Sequence, residues 1–191
     1  VMGAGQKIYA RGVFADQQPV YGIFRQGKSY NDPITKEFLG INADDIGSAE
    51  LISEEGDIAT LNLSRTTQEV RPGDRLFPTE ERAVNSTFMP SEPPTDVDGV
   101  ILDVPRGVNR VGQFDVVTIN KGKIDGLSEG NVLAVYKTGE TVRDRVTGES
   151  VKIPDERSGL LMVFRAYEKL SYGLVLYATR DLALMDKVKN P

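Results

Sequence analysis

Apolar residues along this chain recur in short runs with period two rather than 3.6. Ala59, Leu61 and Leu63 alternate with Thr60, Asn62 and Ser64, the pattern of a strand with one buried face. Runs rich in Val, Ile, Tyr, Phe and Thr predict strands at Gln6–Phe14, Val20–Arg25, Ser48–Ser53 and Ile58–Arg65. A second set is predicted at Val100–Val104, Gln113–Asn120, Val132–Lys137, Ser158–Tyr167 and Tyr172–Thr179. Leu160–Phe164 lacks alternation, which predicts a central strand covered on both faces. No helical periodicity extends beyond two turns. Reversals are predicted at Pro33–Lys36, Glu55–Asp57, Asp125–Gly126 and Arg145–Gly148, and the glycines of Gly122–Gly130 suit a chain turning a barrel corner.

A repeat organises these strands. Tyr21–Glu37 aligns without gaps on Leu133–Glu149, bringing Gly27, Asp32, Thr35 and Glu37 onto Gly139, Asp144, Thr147 and Glu149. With small gaps, Ile8–Gly12 matches Thr118–Gly122, Ala49–Ile52 matches Gly159–Met162, and Ala59–Arg65 matches Leu174–Arg180. Gly73–Pro78 meets the terminal MDKVKNP. Between the copies, Thr79–Asp98 carries Pro90, Pro93 and Pro94 and few apolar residues, a composition that disfavours helix and strand interiors. The expected fold is mainly β. Two small duplicated barrel- or sandwich-like domains, 1–78 and 99–191, are joined by a Pro-rich linker over 79–98.

Composition narrows the chemistry. Histidine and cysteine are both absent, which excludes disulfides, His-based triads and zinc sites of the Cys/His type. The formal charge of −5 and a pI near 4.9 disfavour a nucleic-acid partner, which needs a basic face. No apolar run approaches the roughly 18–20 residues needed to span a bilayer as a helix. Val1 is not followed by a basic and then apolar leader, so a fragment or a mature product is expected.

The remaining motifs are modest. The acidic pairs Asp44/Asp45, Glu54/Glu55, Glu80/Glu81 and Asp155/Glu156 read as solvated loops, because neighbours on a strand point to opposite faces and cannot share a cleft. Asp96, Asp98 and Asp103 lack the spacing of a calcium loop. Gly3-Ala4-Gly5 has no Walker lysine, and Asn85-Ser86-Thr87 is a glycosylation triplet inside the linker. The tyrosines suit core and cross-strand packing better than sugar stacking. Pro105–Arg110 is a basic loop in an acidic chain, so Arg106, Asn109 and Arg110 are the candidate contacts for an anionic group. No catalytic residue, metal site or cofactor is expected.

Five stretches carry a family resemblance: VMGAGQKIYARG, VYGIFRQGKSYNDP, EVRPGDRLFP, GQFDVVTINKGKIDGLSEGNVLAVYKTGETVRD and DERSGLLMVFRAYEKLSYGLVLYATR. Together they resemble the region following the LysM repeat in LysM-domain, peptidoglycan-binding envelope proteins of Gram-negative bacteria. No LysM module is found here, so the resemblance implies a fragment that begins after one. It also implies a periplasmic or envelope location and a non-enzymatic accessory role, with peptidoglycan or an envelope protein as partner. The competing expectations are a structural spacer or self-assembly module with open oligomeric state, and a carboxylate-based hydrolase of cell-wall glycan.

Overall fold

The computed structural model describes residues 5–14, 19–78, 88–104 and 111–191. Contacts group the chain into two compact units, Val1–Ser29 with Ile41–Val84, and Tyr30–Gly40 with Asn85–Pro191. Residues 30–40 of the expected first domain therefore belong to the second unit, as does the described end of the expected linker. Hydrogen bonding accounts for this. The Tyr30 hydroxyl donates to Asp103 at 2.8 Å and the Asn120 amide donates to Asp32 at 2.7 Å. Val97, inside the expected linker, is buried, and its N–H donates to Asn190.

The first unit is built on β1 (Lys7–Arg11), β4 (Ile58–Thr66), β5 (Arg75–Pro78) and all of β2 (Val20–Asn31) and β3 (Phe38–Glu55) except residues 30–31 and 38–40, in the sheet order β1-β4-β3-β2-β5. Its core gathers Ile8, Ile23, Ile46, Leu61 and Leu63 on the inward face. The second unit holds β6 (Asp98–Asp103), β7 (Val116–Ile119), β8 (Val132–Lys137), β9 (Thr141–Arg143), β10 (Ser150–Lys152), β11 (Glu156–Ala166), β12 (Ser171–Ala178) and β13 (Lys187–Lys189). Six of these close a barrel in the order β11-β12-β7-β6-β13-β8, around Ile101, Ile119, Leu133, Leu161 and Leu182. The β9–β10 pair forms a separate ribbon. The mainly β expectation is met, and the only helical piece among the described residues is the 3-10 turn Lys123–Asp125.

Strand extents differ from expectation where side-chain pattern and backbone pairing part company. β3 runs 18 residues instead of six, because FLGINADD is too polar to read as a strand yet lies in the sheet beside β2. β5 and β13 are too short and too charged to read at all, and only their registers reveal them. Ile23 pairs with Leu76, and Val135 with Val188.

The two units share one register. Ala49 pairs with Leu63 and Leu51 with Leu61, as Leu161 pairs with Val175 and Val163 with Gly173, each residue 112 positions further on. Bulges after Ser48 and Leu51 reappear after Leu160 and Val163. The Thr67 N–H and hydroxyl both bond Ile46 O, as those of Thr179 bond Ser158 O. This offset replaces the gapped matches of Ala49–Ile52 and Ala59–Arg65. Upstream, Gly5 N–H bonds Leu63 O as Phe114 N–H bonds Val175 O, so Ile8 corresponds to Val117 rather than Thr118.

One turn is used four times to launch strands. In Arg71–Asp74, Gly112–Asp115, Ser128–Asn131 and Ala183–Asp186, the last side chain accepts the first residue's N–H at 2.7–2.9 Å. The third residue has positive φ in each case: Gly73, Phe114, Gly130 and Met185.

Gly47 and Gly159 occupy matching positions where adjacent strands approach too closely for a side chain. A Cβ on Gly159 would lie 2.7 Å from Tyr177 O, and one on Gly47 would meet Arg65 O. Gly159→Ala should destabilise the chain by about 1–3 kcal/mol, the usual cost of overpacking. Chemical denaturation checks this, and an unchanged midpoint would refute the close-approach reading.

Candidate functional site

In the first unit, β1 and β5 are the two ends of the sheet, and they flank one groove of about 840 Å³. Ile8 and Ala10 on β1, Tyr21 and Ile23 on β2, and Leu76 on β5 supply its apolar surface. Phe14, which also lines it, packs edge-on to Tyr21 with ring centroids 5.4 Å apart. Successive main-chain groups of a strand point to opposite sides. Gly12 N–H goes to Asp57 O beside β4, so the main-chain groups of Arg11, Tyr9 and Lys7 face the groove.

The opposite bank is fixed by an ion pair. Arg25 on β2 donates to both carboxylate oxygens of Asp74, at 2.7 and 2.8 Å, and to Glu69 O at 2.8 Å. Asp74 also accepts Arg71 N–H, and its side chain is only 4% exposed. The Arg25 hydrogen bond, reinforced by the Arg71 N–H, holds the Asp74 carboxyl below the usual carboxylate range. The second unit repeats the pair as Lys137 with Asp186, at 2.9 Å.

Arginines lie along the groove, and Arg71 stands 3.4 Å from the Glu69 carboxylate. Arg11, Arg71 and Arg75 line it, while its carboxylate, Asp74, is engaged by Arg25. Arg11 donates to the Asp57 carboxylate at 2.6 Å, an exposed pair. Tyr9 and Phe77, 74% and 50% exposed, add aromatic surface at the two banks.

The sequence candidates lie elsewhere. Arg106, Asn109 and Arg110 fall outside the described residues, as do Glu80, Glu81 and the Asn85–Thr87 triplet. Asp45 pairs with Arg65, Asp155 with Lys187 and Glu156 with Arg180, so these acids serve surface ion pairs rather than a shared cleft. Asp103 accepts the Tyr30 hydroxyl, while Asp98 stands 3.9 Å from Lys189. Among the described residues, no three His, Cys, Asp or Glu side chains gather as a metal site. Tyr21 and Tyr30 are buried, and Tyr172 stacks on Phe164 with centroids 6.3 Å apart. Burial pushes the Tyr30 phenol up, and its bond to Asp103 adds to this. The groove itself escaped the sequence reading because it lies between two strand edges, and edges follow from register rather than residue type.

Compared with known families and curated proteins, the chain matches no family model and no curated sequence.

Because Asp74 has a lower pKa folded than unfolded, its contribution is complete above the unfolded value near ~4 and is lost as pH falls through the folded value. Asp74→Asn should lower stability at pH 7 by about 1–3 kcal/mol, since it weakens a charge-assisted pair and the turn bond. It should also flatten the fall in thermal midpoint between pH 5 and pH 2. Parallel curves for the two proteins would show that this pair does not hold the bank.

Proposed function

We propose that this chain is a non-catalytic binding module, the accessory region of a LysM-type, wall-associated protein of the Gram-negative envelope. The observation that carries the binding role is the groove between β1 and β5, an apolar surface flanked by the two end strands of the described sheet and lined as well by Arg11, Arg71 and Arg75. The periplasmic location and the association with peptidoglycan rest on the resemblance of the five sequence stretches to LysM-associated regions. No helix among the described residues is long and apolar enough to cross a membrane.

The described acids support a binding role over a glycosidase role. A hydrolase using two carboxylates needs them facing each other across about 5–9.5 Å of cleft. The groove instead presents three arginines and one carboxylate already held by Arg25.

Co-sedimentation of the 191-residue chain with purified peptidoglycan sacculi tests the wall association. The expected result is saturable pelleting. A chain that stays in the supernatant at every sacculus load would contradict wall contact by this region.

A further inference from the structure

Each copy of the repeat carries a hairpin arm, and the gapless match runs along it. Residues 30–40, from the end of β2 to the start of β3, form the tip of the first arm, and the β9–β10 ribbon, residues 140–153, forms the second. Asp32 N–H bonds Glu37 O as Asp144 N–H bonds Glu149 O, so residues 112 apart hold the same place. Alternation along each strand then fixes the faces. In the second arm Glu140, Val142, Asp144, Glu149, Val151 and Ile153 share one face, and Thr141, Arg143, Ser150 and Lys152 share the other. One face is apolar and acidic. The other is basic.

The first arm shows what this face does. Tyr30, Asp32 and Glu37 stand on it, and all three bond one end of the barrel. The Tyr30 hydroxyl donates to Asp103 at 2.8 Å, the Asn120 amide donates to Asp32 at 2.7 Å, and the Lys169 ammonium donates to Glu37. Asp32 accepts Asn120 while its other oxygen accepts the Ile34 and Thr35 N–H groups. Asp144 folds the same turn, with the Val146 N–H and the Thr147 hydroxyl. Glu149 retains the second carboxylate and is exposed. Val142 and Val151 pair directly across the ribbon and are 40% and 48% exposed, with Ile153 at 45%. A ribbon of three residue pairs is marginal in water without a surface to pack on. Its base is fixed to the barrel, since Asp155 accepts the Gly139 N–H at 3.1 Å and the Lys187 ammonium at 2.6 Å.

We propose that the β9–β10 ribbon is a docking arm for a partner protein, which presents the end of a β-barrel carrying a side-chain amide and a lysine, the chemistry of Asn120 and Lys169. Charge complementarity selects that class. Glu140, Asp144 and Glu149 surround the valines, so a lysine-bearing surface is attracted and an acidic one is repelled. Burial of Val142, Val151 and Ile153 supplies the affinity, and the carboxylates set the register. Val142 stands where the first arm has Tyr30, so the partner needs no acceptor like Asp103. The inference concerns a surface apart from the groove and does not use the wall association, so failure of sacculus binding leaves it standing.

The test offers the arm a vacated barrel end of known chemistry. One full-length chain carries Tyr30→Ala and Glu37→Lys, which release its own first arm, and Val151→Glu, which disables its second. A second vacated chain combines Tyr30→Ala, Lys169→Glu and Val151→Glu, so that the native Glu37 is repelled instead. The probe is the 191-residue chain with a fluorophore on Val146→Cys, a unique site because the sequence has no cysteine. Anisotropy should show saturable 1:1 binding of the probe to the first vacated chain and about tenfold or more weaker binding to the second. Adding Glu149→Lys to the probe should reverse that preference. If either vacated chain fails to fold by circular dichroism, the version that keeps Tyr30 replaces it. No binding at millimolar concentration, or a preference that Glu149→Lys does not reverse, would overturn the proposal. Growth of mass with concentration for the unaltered chain, abolished by Val151→Glu, would assign the face to a second copy with its barrel end already filled and overturn it as well.

Discussion

A strand in a barrel needs a hydrogen-bonding neighbour on both sides, and in this protein one circuit of strands meets that demand fully while the other, as described, does not. In the second unit β6 satisfies β7 on one side and β13 on the other, so every barrel strand has two neighbours. Among the described strands of the first unit the same register ends at β1 and β5. An unpaired edge above an apolar interior is a site of association by its nature, because a passing strand gains both a ladder and burial. The groove lies between β1 and β5, at the place where the two circuits differ.

The β5 bank is held by side-chain bonds of its own. The turn Arg71–Asp74 folds on its own carboxylate, and Arg25 anchors that carboxylate from β2. Lys137 and Asp186 do the same for β13, where β6 is present. The loop at the far end of each arm is also built alike. Ile34 and Thr35 N–H donate to Asp32, as Val146 N–H and the Thr147 hydroxyl donate to Asp144. Local bonds of this kind let a short strand such as β5 keep its place with one neighbour.

Much of this architecture was legible. Period-two patterning found most strands, and the gapless match of Tyr21–Glu37 with Leu133–Glu149 is the same offset of 112 that the strand pairing shows as far as Asp74 and Asp186. The gapped matches drifted because packing conserves volume rather than residue type. Ala49 and Leu61 correspond to Leu161 and Gly173, an exchange of small and large. A Cβ on Gly173 would lie 2.8 Å from Leu161 Cδ1. A comparison that seeks like residues slides past such a pair. Of the four strand-launching turns, two carry glycine at the third place, Gly73 and Gly130, whereas Phe114 and Met185 adopt positive φ without being glycine. The candidate loop Arg106–Arg110 was chosen by charge alone, which ignores where strand edges lie.

Amide hydrogen exchange on the chain without any added ligand tests the open seam most directly. The amides of Arg11 and Leu76 should exchange at least about tenfold faster than their counterparts Asn120 and Val188, whose N–H groups lie within a closed ladder. Equal, strong protection at all four positions would mean that β1 and β5 are paired on their outer sides, contrary to the described strand order.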